Sequence, residues 1–172
     1  WAAFYRYWQS GDSASPSFSI TSGNTTLGVC VRFRPTAGQS IKTPTGAKGS
    51  DTSSGTGYSA TMDATLAFTV NHVLNNFTGI AGNNSTFGTP TITATGATIG
   101  SVTEAPATEG TTSTGLDSEA SASTAVCTAG TASAAAVVGW TLSVAQTGGG
   151  CLVVVSETIF SPSSSVSSSI SP

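Results

Sequence analysis

The segment TLGVCVRFR carries the strongest constraint on this chain. Apolar residues recur at every second position, placing Leu27, Val29, Val31 and Phe33 on one face and Cys30, Arg32 and Arg34 on the other. A period of two belongs to a strand with one buried face, whereas a helix would repeat near 3.6. Pro35 ends the run because it has no amide hydrogen for a ladder. The same period marks PSFSITSGN, with Phe18 and Ile20 on one face before a turn. It also marks LAFTVNHVL, where Leu66, Phe68 and Val70 alternate with Ala67, Thr69 and Asn71. Residues 88–103 predict two short Thr-rich strands around TGATIG. The segment VVGWTLSVAQTGGGCLVVVSETIF predicts a hairpin closed at Gly148-Gly149-Gly150. Turn-rich stretches at roughly 35–57, 75–87 and 104–118 predict long loops. No segment of useful length shows a helical period with caps. The expected fold is all-β, an antiparallel β-sandwich.

These strands come from a nearly uncharged chain. Of 172 residues only 8% are charged, against roughly 25% in ordinary soluble domains. Five basic residues and a net charge of -3 cannot neutralise a phosphate track, which excludes a nucleic-acid binder. No apolar run approaches the roughly 18–20 residues of a membrane helix, and no signal peptide is visible. The length fits one domain over residues 1–160. The Ser-rich stretch 161–172 has no hydrophobic face and predicts an extended C-terminal arm.

Five aromatics, Trp1, Phe4, Tyr5, Tyr7 and Trp8, crowd the first eight residues. Alternation divides them between two faces, as in a strand covered on both sides. This predicts an interior strand of a larger sandwich, with further strands upstream; the alternative is an exposed platform for stacking sugars. Two halves of the chain echo each other as well: Phe18 aligns with Trp140, Ile20 with Leu142, Val31 with Val153 and Phe33 with Val155. A duplicated meander is one reading of this echo, and shared low complexity is the other.

Groups able to carry chemistry are sparse. Cys30, Cys127 and Cys151 lack the close pairing of a zinc site or disulfide scaffold and read as buried free thiols, with one disulfide as the alternative. The single histidine, His72, has no Cys, Asp or Glu near it in sequence, so a triad or metal centre would need distant partners. Asp117 and Glu119 in LDSEA form the one tight pair of acids, and paired carboxylates are the tools of glycoside hydrolysis. In a Ser/Ala-rich loop they read as solvated acids. Arg6, Arg32 and Arg34 predict a small patch on neighbouring strands. Asn-x-Ser/Thr matches at Asn24, Asn76, Asn83 and Asn84 arise by chance in so Ser/Thr-rich a chain. No catalytic residue, cofactor site or metal site is expected.

The pattern W-A-x-x-Y-R-x-x-x-x-G-D, followed by SPSFSITSG and TLGVCVRFRPT, resembles a domain of tailed-bacteriophage structural proteins. GWTLSVAQ and GGGCLVVVSETI are similar to its returning strands. The resemblance implies a jelly-roll-like sandwich on the virion exterior, as a head-decoration (cement) protein or part of a tail or fibre. Its implied partners are the major capsid or other virion proteins. No catalytic residue comes with it. One alternative is a fibre module binding host glycans through exposed loop aromatics such as Tyr58, Phe77 or Phe87. Another is a subunit of a secreted β-rich filament. Low charge leaves copies little mutual repulsion, and few Lys or Pro guard the strand edges, so a homo-oligomer, a trimer, is expected.

Overall fold

A computed structural model describes residue 7 and residues 31–81, 85–104, 110–111 and 118–159. Ten strands follow in order: β1 (Gln39–Ile41), β2 (Thr45–Thr61), β3 (Val73–Ala81), β4 (Phe87–Thr93), β5 (Ala97–Ile99), β6 (Thr103–Glu104), β7 (Gly110–Thr111), β8 (Ser118–Gly130), β9 (Val137–Val155) and β10 (Glu157–Ile159). No helix occurs among the described residues, and every strand pairing is antiparallel. The all-β expectation holds, and the curled main sheet is compatible with a jelly-roll-like sandwich.

The sheet is organised by β9, which has two sets of neighbours. Its first half, near Trp140, lies between β2 and β4; its second half, near Leu152, lies between β2 and β3. β8 follows on the far side of β3, and its own outer edge is covered in turn by β7, β6 and β5. The two halves share one core, which joins Tyr58, Phe87, Ile92, Val138 and Trp140 to Leu74, Ile80, Leu152 and Val154. A separate ribbon pairs β1 with β10.

The curl depends on a bend in the β2–β9 ribbon. Core-facing residues of β9 keep one parity throughout, from Val138 and Trp140 to Leu152 and Val154. Those of β2 switch from Ala47 to Tyr58 and Ala60. Register irregularities between Asp51 and Gly57 accomplish the switch, because a one-residue slip exchanges the two faces of a strand. The Asp51 carboxylate spans the bend, accepting from Ser53 N at 2.9 Å and Ser59 N at 2.8 Å. Ser85, almost fully buried, clasps the β9 side: its hydroxyl donates to Val144 O at 3.1 Å and accepts from Val144 N at 3.2 Å.

Several sequence expectations are corrected here. Gly148-Gly149-Gly150 closes no hairpin but lies inside β9. A Cβ on Gly148 would sit 2.5 Å from Gly79 O, and one on Gly150 would strike Phe77 O. Glycine is required there by the closeness of the β3 backbone. Of the strand expected over LAFTVNHVL, only Val73 and Leu74 lie in a strand, as the start of β3, while residues 66–72 form a connection and turn. Asn71 takes the left-handed conformation at φ 69°, with Asn71 N bonded to Cys127 O and His72 N to Thr69 O. Leu66 and Phe68 are buried as the alternation implies, while Val70 is exposed. The long loops expected at 35–57 and 75–87 contain β1, most of β2 and most of β3. Val31 and Phe33 belong to no strand, whereas their matched partners Val153 and Val155 lie in β9, so this part of the echo is not a structural repeat. The Phe18 and Ile20 matches, the aromatic opening apart from Tyr7, and the arm at 161–172 lie outside the described residues.

Candidate functional site

β3 and β8 build the most polar part of the interior. Asn76, Thr78, Ser121, Ser123 and Glu119 are all buried. Register places Asn76 opposite Ser123 and Thr78 opposite Ser121. Alternation turns these residues to the same side as Leu74 and Ile80 of the core. A chain of hydrogen bonds crosses from the first half of β9: Trp140 Nε1 donates to Thr78 Oγ1 at 3.1 Å, and Thr78 Oγ1 donates to Asn76 Oδ1 at 3.1 Å. The buried indole nitrogen is thereby satisfied, and the Trp140 ring meets Phe87 edge-on at 5.0 Å. Asn76 Nδ2, Ser123 Oγ and Tyr58 Oη have no hydrogen-bond partner among the described residues. Burial pushes the Tyr58 phenol well above its ordinary range, with Asp51 adding to the shift.

Glu104 adds a carboxylate at the margin of this seam. β6 sets it opposite Ser123, and it accepts from Ser121 Oγ at 2.6 Å. This is a carboxylate–hydroxyl pair of the kind that could activate a nucleophile. Ser121 is fully buried, however, so no substrate reaches its oxygen. The pair ties β6 to β8.

Asp63 and Glu157 serve similar ends. Asp63 Oδ1 accepts from Lys48 N at 3.1 Å, while Asp63 N donates to Lys48 O at 2.7 Å. Glu157 Oε1 accepts from Thr36 N at 2.7 Å and Oε2 from Thr36 Oγ1 at 3.0 Å, fastening the β1–β10 ribbon to the preceding chain. With Asp51 at the bend, these carboxylates act as structural staples. Their partners are backbone amides or hydroxyls of the same chain.

The residues singled out from sequence do not converge. His72 sits half-buried in the turn before β3, its Nδ1 without a partner among the described residues. Desolvation lowers its pKa, and Lys42 lowers it further. Glu119 is buried in β8, not solvated in a loop; Asp117 lies outside the described residues. Tyr58, Phe77 and Phe87 are strand residues. Tyr58 is 2% and Phe87 7% exposed, and Phe77 is half-buried. They cannot form an exposed sugar platform. Arg32 and Arg34 are exposed, but they precede β1 and lie in no strand; Arg6 is outside the described residues. Cys127 and Cys151 are buried free thiols, and burial pushes the Cys151 thiol up; Cys30 is outside the described residues. Asn76, one of the glycosylation matches, is fully buried.

Among the described residues no group of three or more His, Cys, Asp or Glu could hold a metal. A shallow cleft of about 270 Å³ lies beside the β4–β5 turn, lined by Thr93, Ala94, Thr95, Ala135 and Val137, with no titratable group. The polar seam went unread in the sequence although Asn75-Asn76 gave a signal, since adjacent asparagines are rare inside strands. Comparison with family models, curated proteins and solved structures yields no match to this chain.

Proposed function

We propose that this chain is a non-enzymatic structural protein of a tailed-phage virion, a decoration protein coating the exterior of the head. The use of its acids is what supports the reading. Asp51, Asp63, Glu104 and Glu157 are each engaged by backbone amides or hydroxyls that hold one segment to another. A general acid or base needs a carboxylate that can reach a substrate; these fasten the fold instead. The resemblance of the opening and closing segments to phage structural domains supplies the location. The polar, almost uncharged surface suits close packing among many copies and other virion proteins.

The burial of Tyr58 and Phe87 removes two of the three aromatics named for glycan binding. Quantitative mass spectrometry of gradient-purified particles tests the proposal. The chain should be present at a copy number comparable to that of the major shell protein, and mild washing should release it without releasing nucleic acid. Its absence from intact particles would reject the reading.

A further inference from the structure

Asn76, Ser123 and Glu104 stand in one row across β3, β8 and β6, because Ser123 is the antiparallel partner of both neighbours. The shortest side chain is in the middle, so the row dips over Ser123 between two longer arms. On its other side Asn76 faces Leu152 of β9, which offers no side-chain polar atom. Asn76 is 0% and Ser123 1% exposed, yet Asn76 Nδ2 and Ser123 Oγ have no hydrogen-bond partner among the described residues. Buried polar atoms of native folds are nearly always bonded, to protein or to ordered water.

The relay from Trp140 fixes what this dip can take. An indole Nε1 can only donate, so Thr78 Oγ1 accepts from it at 3.1 Å and gives its one proton to Asn76 Oδ1 at 3.1 Å. The amide is thereby oriented, and Nδ2 is left as a donor. Glu104 Oε1 accepts from Ser121 Oγ at 2.6 Å, which leaves Oε2 for a second donor. The dip has an amide donor on one wall, a carboxylate on the other and a hydroxyl at its floor. A cation there would face the amide protons, and an anion would face the carboxylate.

We propose that this row is a binding site for one ordered water molecule, seated over Ser123 as a structural ligand. The water accepts from Asn76 Nδ2 and donates to Ser123 Oγ and Glu104 Oε2, the roughly three bonds of a buried water. It closes a relay in which the donors point from Trp140 through Thr78 and the Asn76 amide toward Glu104. The aromatic core around the first half of β9 is thereby joined to β6 at the sheet margin. Each orphaned atom of the row gains its partner, and no ion enters the interior.

The water does not depend on the virion reading, and its test needs no particles. Oxygen-17 relaxation dispersion of the full chain in solution counts internal waters and is blind to hydroxyl and amide protons. Asn75, on the opposite face of β3, has two further unpartnered atoms, so the count is read as a difference between variants. Ser123→Val fills the dip with methyls and should lower the count by about one water. Ser123→Ala separates this site from a bare orphan hydroxyl by sign. Losing a bond to the water should raise the unfolded fraction about fivefold, whereas removing a hydroxyl that bonds to nothing would lower it or leave it unchanged. The native count and the Ser123→Ala sign stand even where the bulkier variant does not fold. No dispersion in the native chain, an unchanged count in folded Ser123→Val, or a Ser123→Ala that does not destabilise would each overturn the site. A calcium-dependent rise in melting temperature that Ser123→Ala abolishes would overturn it too, by making the occupant a cation.

Discussion

The two halves of β9 share a strand but not a situation. Around Trp140 the strand has one buried face and one hydroxyl-covered outer face. Between Gly149 and Val155 both faces are largely buried, and the flanking β3 and β8 are likewise buried on both sides from Leu74 to Ile80 and from Glu119 to Ala122. The first half is held by large side chains filling the core. The second adds close backbone approach to the core packing of Leu74, Ile80, Leu152 and Val154, with glycines, alanines, serines and asparagines on its most crowded positions. A single sheet thus uses side-chain packing throughout and backbone proximity at one end.

Replacing Trp140 strikes the first mechanism and should have the largest effect. The side chain is 2% exposed, meets Phe87 and donates to Thr78, so Trp140→Ala should cost about 3–5 kcal/mol in denaturant unfolding. A loss under about 1 kcal/mol would mean that this half is not held by its aromatic core. Gly150→Ala strikes the second mechanism. The added methyl meets Phe77 O and, at 3.2 Å, Thr78 Cα, and backbone cannot move aside cheaply; about 1–3 kcal/mol should be lost. Gly57→Ala is its control, because nothing lies within 4 Å of a Cβ there, and it should leave the unfolding midpoint nearly unchanged.

Legibility followed the same division. One-sided burial writes alternation into a sequence, so WTLSV in β9 and the Thr-rich β4 could be recognised directly. Two-sided burial writes none. In β3, Asn75 and Asn76 looked like loop residues although both are fully buried, and Gly148-Gly149-Gly150 looked like a turn. β2 was hidden for another reason: its facing reverses at the Asp51 bend, which erases any continuous period. The polar seam was illegible because its members come from β3, β6, β8 and β9, and only tertiary pairing sets Trp140 beside Thr78.

Smaller effects sharpen the contrast between the bend and the sheet on either side. Asp51→Asn leaves one carbonyl oxygen for two amide donors, Ser53 N and Ser59 N, and should cost on the order of 1 kcal/mol. A neutral result would mean that the ribbon bends without its carboxylate. The smallest effect belongs to His72, beside the start of β3. Its folded-state pKa is lowered, chiefly by desolvation and further by Lys42, so the unfolded chain takes up the proton more readily. Its contribution is therefore fully present above the unfolded pKa, about 6.5, and is lost as pH falls from there through the lowered folded-state pKa. Stability of the native chain should decline more steeply from pH 7 to pH 5 than that of His72→Gln. Equal slopes would show that His72 is as well solvated in the fold as outside it.

Continuity of β9 through its three glycines underlies the whole arrangement, and amide hydrogen exchange reads it directly. As a central strand between β2 and β3, β9 commits the amides of Gly148, Gly149 and Gly150 to ladders on one side or the other. Their exchange should be slowed to about the level of Val138 and Trp140 in the same strand. Exchange near the unprotected rate at these three positions, with protection on both sides, would restore the hairpin turn and contradict the two-sided sheet.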